Sequence, residues 1–103
     1  MTNLLVIIID DKLEMLMCHE MMINDLLPYA KILCSQNAND VLDRISTLLV
    51  KYEKIICITD NEMPEMSGFE LVRNLHNRGI YFPTIMISGS NVEKEAKKWG
   101  WNT

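Results

Sequence analysis

The sequence predicts an α/β domain in which a parallel sheet is covered by helices on both faces, and three observations carry that expectation. Short apolar runs alternate with longer stretches of helical periodicity, as a doubly wound sheet requires. The first run, Leu4 to Ile9, is apolar at every position; it is too short for a helix and suits a strand buried on both faces. Acidic or hydroxyl residues stand immediately after three of the runs, on the edge where such sheets hold ligands.

The elements follow in order. Lys12 to Leu27 reads as a helix stopped by Pro28, which has no amide proton to give the preceding turn. Ala30 to Cys34 is a second strand. Asn37 to about Tyr52 is a second helix, with Val41, Ile45, Leu48 and Leu49 on its apolar face at i, i+4, i+7 and i+8. Ile55 to Thr59 is a third strand. Ser67 to about Asn77 is a third helix: Ser67 is placed to cap it, Glu70 holds the capping-box position and Gly79 follows its end. Thr84 to Ile87 is a fourth strand entered from Pro83, and Asn91 to Trp99 a short helix stopped near Gly100. No repeat, linker or low-complexity stretch interrupts the chain, so residues 1–103 are expected to form a single domain. The first helix carries more apolar surface than one core stripe needs, in Met15, Leu16, Met17, Cys18, Met21, Met22, Ile23, Leu26 and Leu27.

Composition narrows the function. Hydrophobic residues are 49% and charged residues 23%, which is ordinary for a globular protein. A net charge of -4 argues against nucleic acid as a partner, since nothing would neutralise phosphates in bulk. No apolar run approaches the roughly 18–20 residues that span a bilayer. The N-terminal run has no basic segment before it, so it reads as a strand rather than a signal peptide, and a cytoplasmic location is expected. Cys18, Cys34 and Cys57 are odd in number and form no CxxC pair; buried, reduced thiols are the expectation. His19 and His76 have no partner at ligand spacing.

The chemistry concentrates at the strand ends. The first strand ends in Asp10-Asp11, the third in Asp60 and the fourth in Ser88-Gly89-Ser90. In a parallel sheet these ends share one rim, so three carboxylates and a hydroxyl converge there. Carboxylates so close repel strongly, and a cation must offset the repulsion or one acid must stay protonated. An all-oxygen site of this kind suits Mg2+, which keeps part of its water and shares its shell with phosphate. A carboxylate beside such an ion is a nucleophile toward phosphorus that would give an aspartyl phosphate, with Ser88 placed to hydrogen-bond a phosphoryl oxygen. Taken singly, Asp11 reads equally well as an N-cap of the first helix and Asp60 as a turn residue ahead of Pro64.

Three segments, Val6-Ile7-Ile8-Ile9-Asp10-Asp11, Ile58 to Leu71 and Pro83 to Gly89, resemble the receiver domain of two-component response regulators. The middle one is the most specific: Asp60, three residues, Pro64, then Gly68, between a buried strand and a helix. The resemblance implies a flavodoxin-like (CheY-like) sheet of order 2-1-3-4. It implies Asp60 as phosphoacceptor and Ser88 as the switch hydroxyl. Asp10, Asp11, Asp60 and the backbone carbonyl of Glu62 would hold Mg2+. It also implies a sensor histidine kinase or histidine phosphotransfer protein as partner, and a phosphoacceptor domain rather than a turnover enzyme. The family's fifth strand, its terminal Lys and its fifth helix have no counterpart before Thr103. The expectation is therefore a C-terminally truncated receiver, either one whose fourth strand and first helix are covered by a second copy or a swapped element, or a fragment of a longer receiver. Lys12 follows the acidic pair and has the reach to approach it, although a solvated Lys at a helix start is its plainer reading. Two other functions fit less well. A receiver whose phosphoryl chemistry has lapsed would serve as an interaction or dimerisation module. A phosphohydrolase with an Asp nucleophile usually wants a second Asp two residues on, where this chain has Glu62.

Overall fold

The computed structural model describes residues 3–87. They run β1 (Leu4–Ile9), α1 (Leu13–Leu26), β2 (Lys31–Ser35), α2 (Ala38–Lys51), β3 (Lys54–Asp60), α3 (Gly68–Asn77) and β4 (Thr84–Ile87). The four strands form one parallel sheet in the order β2-β1-β3-β4, the order implied by the resemblance. Burial explains the arrangement. β1 is buried at all six positions, and only an interior strand with a helix layer on each side hides both faces of a continuous aliphatic run.

Alternation along β1 divides its side chains between two cores. Leu5, Ile7 and Ile9 pack with Val41, Leu42, Ile45 and Leu48 of α2 and with Leu71 and Leu75 of α3. Leu4, Val6 and Ile8 pack on the other face with Leu16 of α1 and with Ile58. Each fully buried aliphatic side chain contributes about 1.5–3 kcal/mol, so β1 alone accounts for a large share of what holds the sheet together.

The helix termini follow local chemistry in two cases and depart from it in one. Asn37 caps α2, its Oδ1 accepting the Asn39 N–H at 2.7 Å. Ser67 and Glu70 form the expected capping box on α3. Beyond α3, Gly79 takes φ +75° and its N–H donates to the His76 carbonyl at 2.9 Å, a left-handed exit that favours glycine. The start of α1 does not bear out the alternative of Asp11 as its cap. Lys12, not Asp11, occupies the cap position, and no side chain caps the helix. The Lys12 N–H donates instead to Asp10 Oδ1 at 2.9 Å.

α1 bears out its surplus of apolar surface. Leu16 is buried, and Ile23 and Leu27, at i+7 and i+11, pack half-buried against the same core. Met17, Met21, Met22 and Leu26 remain 57, 69, 56 and 69% exposed. The expectation that all three thiols are buried fails at Cys18, which lies on an exposed part of α1. It sits two residues from Leu16 along a 3.6-residue period, and that offset turns it away from the sheet. At the β4 edge, Ile85 and Ile87 are 54 and 38% exposed. The helix expected over Asn91 to Trp99, Ser88, and Lys94, Lys97 and Lys98 lie outside the described residues.

Gly68 opens α3 against the end of β3. A Cβ there would meet the Met86 sulfur, and would lie 2.9 Å from the Asp60 carbonyl oxygen and 3.1 Å from Thr59 Cγ2. The thioether can shift, but the backbone carbonyl cannot. Gly68→Ala is expected to cost about 1–3 kcal/mol in a urea titration. Thiol reactivity offers a second check on the packing. Cys18 is expected to react quickly with a thiol reagent in the native protein and Cys34 slowly. Cys57, whose pKa burial raises to about 12, should react only on unfolding.

Candidate functional site: an acidic pocket at the carboxyl edge of the sheet

The rim is built by the strand register. Ile9 pairs with Ser35 on one side and Thr59 on the other, and the Asp10 N–H continues the ladder by donating to the Ser35 carbonyl at 3.1 Å. Asp10 is thereby fixed at the sheet edge, only 5% exposed. Asp11 follows it, half-buried. Asp60 is the last residue of β3 rather than the first beyond it, and its backbone pairs with Ile87. This brings one carboxylate oxygen from each of Asp10, Asp11 and Asp60 within 4.8 Å of one another. Among the described residues this is the one such convergence of acid, thiol and imidazole groups, and neither His19 nor His76 belongs to it.

The three acids are satisfied unequally. Asp10 Oδ1 accepts the Lys12 N–H, and Asp60 Oδ1 accepts the Glu62 N–H at 3.2 Å. Asp11 Oδ1 is buried with no hydrogen-bond partner among the described residues. Leaving a buried charged acceptor unpaired costs more than about 1–3 kcal/mol, which points to a cation as the missing partner. Asp60 carries the electrostatic consequence. Desolvation raises its pKa above the usual 3.8, the Glu62 N–H opposes that, the Asp10 charge adds to it, the Lys12 charge opposes, and Asp11 raises it further. Lys12 is exposed, yet its charge acts on the nucleophile candidate.

The loop between β3 and α3 frames the other side. Asn61, 3% exposed, was not singled out from sequence. Its N–H donates to the Ile87 carbonyl at 3.1 Å, its carbonyl accepts the Gly68 N–H at 3.1 Å, and its Oδ1 accepts the Phe69 N–H at 3.2 Å. One residue thus joins the end of β4, through its backbone N–H, to the start of α3, through its carbonyl and side chain, next to Asp60. Glu62 is exposed, with its backbone held over Asp60. Beside Asp11 lies a cavity of about 110 Å³ lined by Gln36, Asn37 and Ala38 and by residues 63–66. Ser88 lies outside the described residues, although its neighbour Ile87 pairs with Asp60.

Comparison with known proteins matches residues 6–100 to the response regulator receiver domain. The chain belongs to that family. No curated protein matches the chain. Among solved structures, FixJ-N aligns at 29% identity with a TM-score of 0.77, over 98% of this chain and 78% of that one. The chemotaxis protein CheY4 of Vibrio cholerae aligns at 19% identity and a TM-score of 0.76, over 98 and 83%. The receiver domain of the Francisella response regulator 1452 aligns at 22% and 0.74, over 97 and 80%. The last two show the likeness of fold. No helix among the described residues is long and apolar enough to cross a membrane.

Receiver domains generally bind Mg2+ in an acidic pocket, and the residues of this one fit such an ion. The donors are all oxygen, a set that suits a hard divalent cation, and one of the three acids, Asp11, has a buried oxygen without a partner among the described residues. Because the folded-state pKa of Asp60 is raised, the fold favours its protonated form, and metal-free stability falls as pH climbs through that titration. Asp60→Asn is therefore expected to raise the melting temperature of the metal-free protein at pH 7. A gain of about 2–4 °C corresponds to roughly half a kcal/mol in a domain of this size, after allowance for solvent screening. The gain should disappear near pH 3 and shrink or reverse when Mg2+ saturates the wild type, as thermal melts across pH with and without the ion would show.

Proposed function

We propose that this receiver domain accepts a phosphoryl group on Asp60, with Mg2+ held by Asp10, Asp11, Asp60 and the Glu62 carbonyl. A histidine kinase or histidine phosphotransfer protein is the donor. The observation that carries the reading is the meeting of carboxylate oxygens from Asp10, Asp11 and Asp60 within 4.8 Å of one another, together with a buried Asp11 oxygen that has no partner among the described residues. Oδ1 of Asp60 is engaged by the Glu62 N–H, which leaves Oδ2 as the attacking oxygen. It forms the new P–O bond while the donor's P–N bond breaks, and the imidazole nitrogen leaves with the electron pair and takes up a proton from solvent. When bound, the ion would offset charge on the acids and on the phosphoryl oxygens. Asp10, fixed by the Lys12 N–H, and Asp11 hold the place of that positive charge. Ser88, next in chain to Ile87, is the proposed hydrogen-bond donor to the phosphoryl group, and its movement would alter the β4 face.

In this role the domain is consumed stoichiometrically as acceptor rather than turning over a substrate, and it acts in the cytoplasm, where its donor works. Its output is a protein contact. The exposed apolar residues of α1 and β4 suit a homodimer formed across that surface. A single sedimenting species of monomer mass at micromolar concentration would remove the dimer from this reading.

Incubation with Mg2+ and a small phosphodonor such as acetyl phosphate is expected to add one phosphoryl mass per chain. Asp60→Asn and chelation of the ion should each abolish the adduct. If the folded wild type forms no adduct with either a small donor or a phosphohistidine protein, the domain is a receiver whose chemistry has lapsed. Many turnovers of a phosphate ester per chain would instead indicate a phosphohydrolase.

A further inference from the structure

The turn between β2 and α2 contributes no acid to the pocket, yet it touches both loops that do. Gln36 Nε2 donates to the backbone carbonyl of Asp11 at 3.1 Å. Asn37 Nδ2 donates to Glu65 Oε2 at 3.1 Å, and Asn39 Nδ2 reaches the same oxygen at 3.4 Å. Asn37 is also the cap of α2, its Oδ1 taking the Asn39 N–H. The two ends of that amide are thus committed to different tasks, and the cap aims the NH2 group at Glu65. The Glu65 carboxylate sits at the N-terminal end of α2, where the helix dipole favours a negative charge. Residues 36–39 therefore bracket the cavity beside Asp11, holding the Asp11 backbone on one side and Glu65, three residues beyond Glu62, on the other.

The rest of the β3–α3 loop is tied near its ends. Asn61 and Glu62 are held to Ile87 and Asp60, and Gly68 to Asn61. Between them Pro64 and Glu65 are exposed, and Met63 and Met66 pack half-buried against the core beneath α2. Glu65 supplies the polar tether from the middle of the loop to the neighbouring element.

We propose that Glu65 is a positioning residue. Clamped by Asn37 and Asn39, it sets the width of the acidic pocket and so its preference for a small divalent ion. This inference rests on the Mg2+ site proposed above. The physical basis is the difference between the two common hard cations. Mg2+ demands near-octahedral oxygens at about 2.0–2.1 Å, whereas Ca2+ accepts about 2.3–2.6 Å in a flexible shell. A loop free to drift outward loses the first more readily than the second. A purely electrostatic role would behave otherwise, because removing one negative charge weakens both dications alike.

The test is calorimetric titration of the wild type, Glu65→Ala, Glu65→Gln and Asn37→Ser/Asn39→Ala with Mg2+ and, separately, Ca2+. Serine keeps the α2 cap while removing the amide donor. Glu65→Ala and the double variant are each expected to weaken Mg2+ binding about tenfold, with Ca2+ changed by less than about threefold. Glu65→Gln, which keeps an oxygen acceptor without the charge, should restore most of the Mg2+ affinity. Combining Glu65→Ala with the double variant should add little, because both break one contact. Wild-type Mg2+ affinity in Glu65→Ala overturns the clamp and leaves the ion site standing. Equal loss of both ions, or equal loss in Ala and Gln, replaces it with simple electrostatics. Failure of the wild type to bind Mg2+ overturns the ion site and the clamp together, and unchanged circular dichroism in each variant guards against misfolding.

Discussion

Like charges gathered at one place dominate this structure. Carboxylate oxygens of Asp10, Asp11 and Asp60 within 4.8 Å of one another repel by roughly 3–4 kcal/mol per ionised pair at an effective dielectric near 20. A flexible chain would separate them. Here they cannot separate, because Asp10 and Asp60 extend β1 and β3, the two interior strands of the sheet, and their backbones are locked in its ladder. The hydrophobic core thus holds in place an arrangement that is unfavourable by itself. The pKa of Asp60 is raised first by its desolvation and then by the neighbouring charges of Asp10 and Asp11.

The supporting groups share this division of work between packing and polar contacts. Asn61 joins the end of β4 to the start of α3 through its backbone and its side chain. Gly68 lets α3 begin against the Asp60 carbonyl, where any side chain would collide. The β2–α2 turn reaches the backbone of Asp11 and the carboxylate of Glu65. None of these groups is an acid of the pocket, and all of them fix where its acids stand.

The elements that proved easiest to read were those whose pattern is local. Leu4–Ile9 was legible as a strand because an unbroken aliphatic run of that length has few other uses. The α3 capping box and the Gly79 exit followed from residue types at fixed offsets. Strand limits were displaced by a residue at β2 and β3, since backbone pairing continues past the last apolar side chain. Cys18 was expected to be a buried thiol and is exposed, and the alternative of Asp11 as a helix cap does not hold. The cap position falls on Lys12, whose N–H is taken by Asp10, so Asp11 stands one residue too early to cap the helix. The side on which Cys18 falls depends on how α1 rotates over the sheet. Asn61 and the Glu65 clamp were missed, because an asparagine or glutamate in a loop carries no local mark of what it will touch.

By itself, the order of residues determined the fold class, the strand count over residues 4–87 and the identities of the three acids, because hydrophobic periodicity and strand-end placement are properties of neighbouring residues. Tertiary structure alone decided which oxygen of the acidic trio was left without a partner, which turn braces the pocket and which face of α1 meets the sheet. Those outcomes join residues about 25 to 50 positions apart. Their separation in space is set by the register and twist of the whole sheet rather than by any short run of the chain.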